Sequence, residues 1–210
     1  MMSRKEAQER RAEILDISME LFRTKGFDNT SISDILSEVG IARGTLYYHF
    51  KSKEEIMDSI IDRQSREMIN RAKEIANTKS LPVLVRFFST LQSLNFNNSD
   101  DRGVVEFIHR PQNALINEKN HKVIMNEIPP ILLGIVEDGI KEGIFKMDYP
   151  YEAIEMVINY AISVFGHEFS ILTEELKQKK IVAFIRNIEV LFGAKKGTFD
   201  EITKMIIGVD

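Results

Sequence analysis

The stretch that decides the fold runs from Thr30 to Glu55 and reads TSISDILSEVGIARGTLYYHFKSKEE. Apolar residues recur at helical spacing in its first part, and after a three-residue turn a short second helix is predicted from about Arg43 to His49. Ser31 followed three residues later by Asp34 has the form of a capping box, which marks the start of the first of these helices. A helix, a tight turn and a short helix are together typical of a helix-turn-helix.

The second of these helices has the side chains that a helix needs in the major groove of DNA, where base pairs show distinguishable hydrogen-bonding patterns. Residues 39–53 contain three basic residues and no acid. Glycine permits close approach to the duplex, threonine offers a hydroxyl and a methyl group, and the cations favour phosphate. The candidate contacts from this reasoning are Arg43, Gly44, Thr45, Tyr48, His49, Lys51 and Lys53.

This motif, with the turn KGFDNTS at its start, resembles the DNA-binding domain of the tetracycline-repressor-type (TetR) family of bacterial transcription regulators. The resemblance covers about residues 10–55 and implies that the third helix enters the major groove. The DNA contacts that it implies are Arg43, Gly44, Thr45, Tyr47, Tyr48, His49 and Lys53, with Thr30 or Ser31 on a phosphate. Ala42 departs from the family pattern, because many members have a serine or threonine there that caps the third helix.

Several of these residues also admit a structural role. Tyr47 shares a helix face with Leu46, which favours a place in the core over a contact with DNA. His49 is either a phosphate donor or the C-cap of the short helix. Thr30 and Ser31 have the character of caps, and a cap beside DNA can also bind phosphate.

The rest of the chain shows helical spacing of apolar residues almost throughout, without strand-like alternation or hairpin turns. We predict an all-α protein with an N-terminal three-helix helix-turn-helix domain at residues 1–52 and a C-terminal helical domain at residues 53–210. Further helices are expected at about 53–77, 81–95, 103–118, 121–143, 150–171, 174–192 and 198–207. Pro111, Pro129 and Pro130 predict kinks or restarts.

The composition is that of an ordinary globular protein and excludes a disordered chain, a collagen-like repeat and a membrane protein. Of 210 residues, 43% are hydrophobic and 29% are charged, and the net charge of −4 does not oppose DNA binding because only the face near the phosphates must be positive. Cysteine, a bilayer-length apolar run and a secretory signal are absent, so we expect a cytoplasmic protein without a membrane partner. The four histidines are isolated and no phosphate loop occurs, so we expect neither an enzyme nor a cofactor or metal site.

By resemblance to the family, the C-terminal part dimerises and senses a small molecule. The helices near 150–171 and 174–192 are apolar over a wide arc and need burial on more than one side, and family members pair them into a four-helix bundle. The predicted dimer residues are Ile158, Ile162, Phe165, Gly166, Phe169, Ile181, Phe184, Ile185 and Ile188. The predicted ligand residues, each equally compatible with core packing, are Phe87, Phe88, Leu91, Phe107, His109, Asn113, Met125 and Tyr160.

Together with these observations, the resemblance implies a ligand-responsive transcriptional regulator that binds a palindromic operator as a homodimer, with repression the commoner outcome in the family. A small apolar or aromatic effector releases it. The helix from Ser52 to about Asn77 runs from the DNA-binding part to the expected pocket, so we hypothesise that the effector changes its tilt and the distance between the two recognition helices. The alternative is an all-α ligand-binding or structural dimer without specific DNA binding.

Overall fold

The computed structural model describes residues 4–94, 107, 114–165, 169 and 171–208, with the backbone alone for residues 114–116. Within these residues the chain forms nine α-helices and no strand, which confirms the all-α prediction. The helices are α1 (Arg4–Lys25), α2 (Ile32–Val39), α3 (Arg43–His49), α4 (Lys53–Asn77), α5 (Val83–Ser93), α6 (Ala114–Lys141), α7 (Pro150–Val164), α8 (Glu174–Leu191) and α9 (Asp200–Ile207). Most of the helix predicted at 103–118, with Pro111, lies outside the described residues. No helix in the described part of the chain is both long and apolar enough to cross a membrane.

Local sequence signals set the ends of the short helices. Ser31 caps α2: its side-chain oxygen accepts a hydrogen bond from the Asp34 N–H, and the Asp34 carboxylate accepts one from the Ser31 N–H. The predicted capping box is therefore confirmed. Gly40 ends α2 at a φ of 72°, a left-handed conformation that glycine adopts without steric cost. Ala42 gives α3 no side-chain cap, whereas the side chain of Thr173 caps α8.

Two of the longer helices differ from the expectation. α6 runs without interruption through Pro129 and Pro130, so the helix does not restart there, and of the two predicted alternatives the kink stays a prediction. Each proline removes one backbone hydrogen bond, and the complete burial of Ile128 and Leu132 beside them offsets that loss. α7 ends earlier than the predicted residue 171.

The chain divides into two compact units. Unit 1 consists of residues 1–66 and 97–120, and unit 2 consists of residues 67–96 and 121–210. The divisions fall inside α4 and α6, so each of these helices contributes residues to both units. The domain boundary predicted after residue 52 coincides with the start of α4 and stays a prediction.

The core of unit 1 packs α1 to α4 around completely buried side chains such as Ile14 and Leu46. The ring of Phe27 folds back on Phe22, with 5.1 Å between the ring centroids. Phe107 is only 2% exposed and also packs on Phe27, with 4.3 Å between the centroids. A residue far along the chain thus completes the core beneath the helix-turn-helix.

The core of unit 2 contains a cluster of buried phenylalanine rings. Phe87 lies 5.1 Å from Phe192 and Phe88 lies 5.3 Å from Phe199, measured between ring centroids. Phe145 lies 5.3 Å from Phe192 in the same way. These edge-to-face contacts hold α5 against the end of α8 and the start of α9.

Candidate nucleic-acid interface

One side of α3 is packed into the core of unit 1 and the other side is open. Leu46 is completely buried and holds the helix in place, whereas Tyr48 is 74% exposed and Tyr47 is 44% exposed. The interpretation of Tyr47 as a core residue is therefore wrong, because its position one residue after Leu46 turns it away from the core. The guanidinium of Arg43 lies 5.6 Å from the centroid of the Tyr47 ring, which is a cation–π contact.

Gly44, Thr45 and Lys51 extend this open side. A Cβ atom at Gly44 would meet no heavy atom within 4 Å, so no other part of unit 1 covers the backbone there. Thr45 is half-buried and Lys51 is exposed. The α3 surface, as we call it, consists of Arg43, Gly44, Thr45, Tyr47, Tyr48 and Lys51.

Lys53 and Thr30 make their polar contacts inside unit 1. The ammonium group of Lys53 donates hydrogen bonds to the carbonyl oxygens of Phe27, at 2.7 Å, and Thr30, at 2.8 Å, and it lies 4.2 Å from the Phe27 ring centroid. Thr30 is completely buried, and its hydroxyl donates to the carbonyl oxygen of Gly26 at 2.8 Å. These contacts hold the turn between α1 and α2 against the start of α4, so neither side chain is retained as a phosphate contact.

The hydroxyl of Ser31 is also engaged within unit 1. It donates to the carboxylate of Asp34 at 2.6 Å, and the other oxygen of that carboxylate accepts from the ammonium of Lys25 at 3.1 Å. The hydrogen bonds from Ser31, and then the one from Lys25, hold the pKa of Asp34 far below its usual range. An ionised carboxylate therefore occupies the start of α2, where a phosphate contact is predicted from the sequence.

His49 lies at the end of α3 and is half-buried, and its Nε2 has no hydrogen-bond partner among the described residues. Burial lowers its pKa, and the positive charges of Arg11 and Arg10 lower it further. Arg11 is held 4.8 Å from the centroid of the Phe50 ring. The imidazole is therefore neutral at neutral pH and adds no cation to the α3 surface. Phe50, rather than His49, is the C-cap of the helix.

The residues predicted to bind a ligand are not all brought together. Phe87 and Phe88 lie in the aromatic core of unit 2, whereas Phe107 lies in the core of unit 1 and is not retained as a pocket residue. Tyr160 is partly exposed and stacks on Phe184 with 5.4 Å between the ring centroids, among the predicted dimer residues. The remaining candidates are two residues packed against the core of unit 2, Leu91 and Met125, and two outside the described residues, His109 and Asn113.

The predicted dimer residues fall into three groups. Three are buried within unit 2 itself and are not available to a partner subunit: Ile158, Ile185 and Ile188. Five are partly buried: Ile162, Phe165, Phe169, Ile181 and Phe184. Gly166 lies outside the described residues.

Exposed apolar side chains on the same two helices mark a surface that the sequence analysis did not single out. Met156 and Tyr160 lie one turn apart on α7, and Leu176 and Val190 are exposed on α8, with Val190 at 79%. The helical spacing of these residues is a usable signal. The predicted dimer residues on the same helices form a more apolar stripe that points inward. That stripe gave the stronger sequence signal, so the exposed residues were not predicted.

Two family profiles match the chain, one toward each end. Residues 14–60 match the bacterial regulatory proteins of the tetR family, and residues 95–188 match the tetracyclin repressor-like C-terminal domain. Together the two matches span about two thirds of the chain.

Curated relatives and solved structures agree with these matches. The HTH-type transcriptional repressor KstR2 of Rhodococcus jostii (strain RHA1) is 28% identical, over 68% of this chain and 71% of that protein. The fatty acid metabolism regulator protein of Bacillus subtilis (strain 168) is 27% identical, over 64% of this chain and 70% of that protein. The crystal structure of RolR with resorcinol has the same fold, with a TM-score of 0.63 at 18% identity over 96% of both chains. SmeT, the repressor of the Stenotrophomonas maltophilia multidrug efflux pump SmeDEF, gives a TM-score of 0.62 at 19% identity, over 90% of this chain and 92% of that one.

The helical fold and the open α3 surface are those of a helix-turn-helix transcriptional regulator, and the chain belongs to the TetR family of bacterial regulatory proteins. The resemblance seen in the sequence is thereby confirmed. As a member of this family it is a ligand-responsive regulator that binds operator DNA as a homodimer, and it is not an enzyme.

Proposed function

We propose that the α3 surface enters the major groove of a palindromic operator and that the bound regulator represses transcription. This proposal rests on the two different sides of α3. Leu46 is completely buried, whereas Arg43, Tyr47 and Tyr48 are exposed. The major groove admits an α-helix, and base edges there distinguish all four base pairs. A homodimer presents two such helices, so the operator must contain two half-sites related by two-fold symmetry.

The side chains of the α3 surface divide into those that read bases and those that position the helix. The Tyr47 ring restrains the guanidinium of Arg43, so that less rotamer freedom is lost when Arg43 binds a guanine edge. Thr45, beside the open backbone of Gly44, supplies a hydroxyl and a methyl group to a neighbouring base. The phosphate contacts come from the Tyr48 hydroxyl and the Lys51 ammonium, and these fix the register without reading sequence.

The dimer is proposed to form through α7 and α8. Met156, Tyr160, Leu176 and Val190 are large apolar side chains exposed on these two helices, and exposed apolar surface marks a site of association. Phe184, which stacks on Tyr160, extends this surface. The second copy of the same two helices is the cover that two-fold symmetry provides.

The effector is proposed to be a small apolar or aromatic molecule bound in unit 2, and the regulator is proposed to act in the cytoplasm. RolR, which shares the fold, is solved with resorcinol, a small aromatic molecule. An effector releases the operator if it binds more tightly to the form of the protein with low operator affinity, since coupling requires only differential affinity for two states.

Tyr48→Ala tests the α3 surface directly. A hydrogen bond to a charged phosphate contributes about 1.5 kcal/mol, so we expect roughly tenfold weaker binding to the operator and to unrelated duplexes alike. Fluorescence anisotropy with a labelled duplex from the region upstream of the regulator's own gene measures the affinity, in a salt series from about 50 to 200 mM.

Tyr149→Ala is the matched control, because Tyr149 is 73% exposed, as Tyr48 is, but precedes α7 in unit 2. Its operator affinity should equal that of the wild type. Equal affinities of the Tyr48→Ala and Tyr149→Ala proteins would show that α3 does not dock on DNA through the proposed surface.

A further inference from the structure

Helix α5 carries two buried polar side chains that each have an unsatisfied atom. Arg86 is 3% exposed and Thr90 is completely buried. Among the described residues, neither Nε of Arg86 nor Oγ1 of Thr90 has a hydrogen-bond partner. The two residues are four positions apart, so their side chains are neighbours on one face of the helix. Buried polar atoms without partners are rare in proteins, and two on one helix face require an explanation.

The other nitrogens of Arg86 fix the direction of this face within unit 2. Nη1 donates to the carbonyl oxygen of Ala76, near the end of α4, at 3.1 Å. Nη2 donates to the carboxylate of Asp138, near the end of α6, at 2.9 Å. The face of α5 that carries Arg86 and Thr90 is therefore turned toward these parts of α4 and α6, and Thr90 lies one turn further along it.

The guanidinium of Arg86 forms an ion pair with Asp138. The carboxylate of Asp138 accepts hydrogen bonds from both Lys79 and Arg86, so one negative charge faces two positive charges. Asp138 remains ionised, because the hydrogen bonds from Lys79 and then Arg86 lower its pKa. Lys79 is exposed, so water solvates its charge, and the charge of the buried Arg86 is paired with that of Asp138. The polar capacity left at Arg86 is its Nε–H.

The core of unit 2, against which α5 packs, is apolar. Phe87, which follows Arg86, is completely buried, as are Ala72 of α4 and Leu132 of α6, and all three belong to the core of unit 2. A partner for the unsatisfied N–H and hydroxyl must therefore be a hydrogen-bond acceptor attached to an apolar body.

We propose that Arg86 and Thr90 bind the carboxylate of a small apolar carboxylic acid and that this acid is the effector. The Nε–H of Arg86 and the hydroxyl of Thr90 donate to the carboxylate oxygens, and a donor that is itself charged makes the stronger of these hydrogen bonds. The hydrocarbon part of the acid packs against apolar side chains of unit 2, as the body of a ligand does in most small-molecule sites. The inference rests on the proposed function only for the release of DNA, because binding of the acid is measured without DNA.

Thr90→Val is the sharpest test, because valine keeps the shape of threonine and removes only the hydroxyl. Isothermal titration calorimetry of the full-length protein with hexanoate, octanoate and 4-phenylbutyrate, and with the corresponding alcohols, gives the affinities. We expect the acids to bind the wild type, the alcohols to bind at least about tenfold more weakly, and Thr90→Val to weaken acid binding about tenfold. Without acid, the variant should have a Tm about 2–4 °C above the wild type, because it no longer buries an unpaired hydroxyl.

Thr203→Val is the matched control. Thr203 is buried in the same unit, but its hydroxyl donates to the carbonyl oxygen of Phe199 at 2.8 Å. The same substitution should therefore lower the Tm and leave acid binding unchanged. The proposal is overturned if none of the acids binds the wild type, if the alcohols bind as tightly as the acids, or if Thr90→Val behaves as Thr203→Val does.

Operator binding with and without octanoate separates this inference from the proposed function. Wild-type protein that fails to bind its operator in the absence of acid contradicts the proposed function and leaves the carboxylate site standing. Acid that binds through Thr90 without weakening operator binding contradicts the effector assignment. Weaker operator binding in octanoate, with no such effect in the Thr90→Val protein, supports both.

Discussion

The ammonium group of Lys53 gives unit 1 a contact whose contribution can be measured. Lys53→Met keeps the length of the side chain but leaves the carbonyl oxygens of Phe27 and Thr30 without their donor, and it removes the cation 4.2 Å from the Phe27 ring. A hydrogen bond from a charged donor contributes about 1.5–3 kcal/mol and a cation–π contact about 0.5–1 kcal/mol. Because Lys53 is half-buried and water can reach the carbonyl oxygens in the variant, we expect a loss of about 2 kcal/mol in unfolding free energy, or roughly 4–8 °C in Tm.

Lys51→Met is the matched control, since Lys51 is exposed on the α3 surface only two residues away. Thermal and urea unfolding at one fixed protein concentration give the stabilities, and operator affinity across a salt series gives the number of phosphate contacts. Lys51→Met should keep the wild-type stability and reduce the slope of log K against log salt by about 0.9, whereas Lys53→Met should lower the stability and keep the slope. A Lys53→Met protein with wild-type stability and a smaller slope would show that this ammonium lies on a phosphate and would refute the reasoning.

Three further substitutions test other contacts. Phe107→Ala removes a buried ring from unit 1 and should lower the unfolding free energy by about 3–5 kcal/mol. Amide hydrogen exchange should become faster in α1–α3 and stay slow in α8. A uniform change in exchange would contradict the assignment of Phe107 to unit 1. Val190→Glu places a carboxylate on the proposed dimer surface and should give a monomer in analytical ultracentrifugation, whereas an intact dimer would exclude this face. Asp34 has a lowered pKa in the folded state, so its stabilising effect is present above its unfolded pKa of about 3.9 and is lost as the pH falls toward the folded value. The difference in unfolding free energy between wild type and Asp34→Asn should therefore be constant from about pH 6 to 5 and shrink below about pH 4, and a pH-independent difference would contradict the Ser31–Asp34 contact.

Helix ends were predictable wherever the signal lies within a few residues. The Ser31 cap and the bounds of α3 at Arg43 and His49 are confirmed. Each of these signals depends on side chains within one helical turn. The exposed Tyr48 followed from the same local pattern. The position of the recognition helix, and most of the residues on its exposed side, could therefore be predicted from the sequence.

Contacts between distant residues were not predictable in this way. From the sequence, Phe107 is equally compatible with a ligand pocket and with core packing, and no nearby residue shows that its ring packs on Phe27. Likewise, the charge of Lys53 suggests phosphate, while the structure gives its ammonium two carbonyl partners 23 and 26 residues earlier. Pro129 in α6 shows the same limit, because burial of the flanking side chains overrides a local preference to end the helix.

The place of Phe107 has a consequence for anyone who exchanges DNA specificities between regulators of this kind. A graft cut after residue 66 transplants Phe27 but leaves its ring partner in the donor, so the recipient must fill that position with whatever side chain its own sequence supplies. Chimeras that carry the native pair together should therefore express and bind better than those joined at a single point. The part of the chain that must be transferred together is therefore discontinuous in sequence, and it includes position 107.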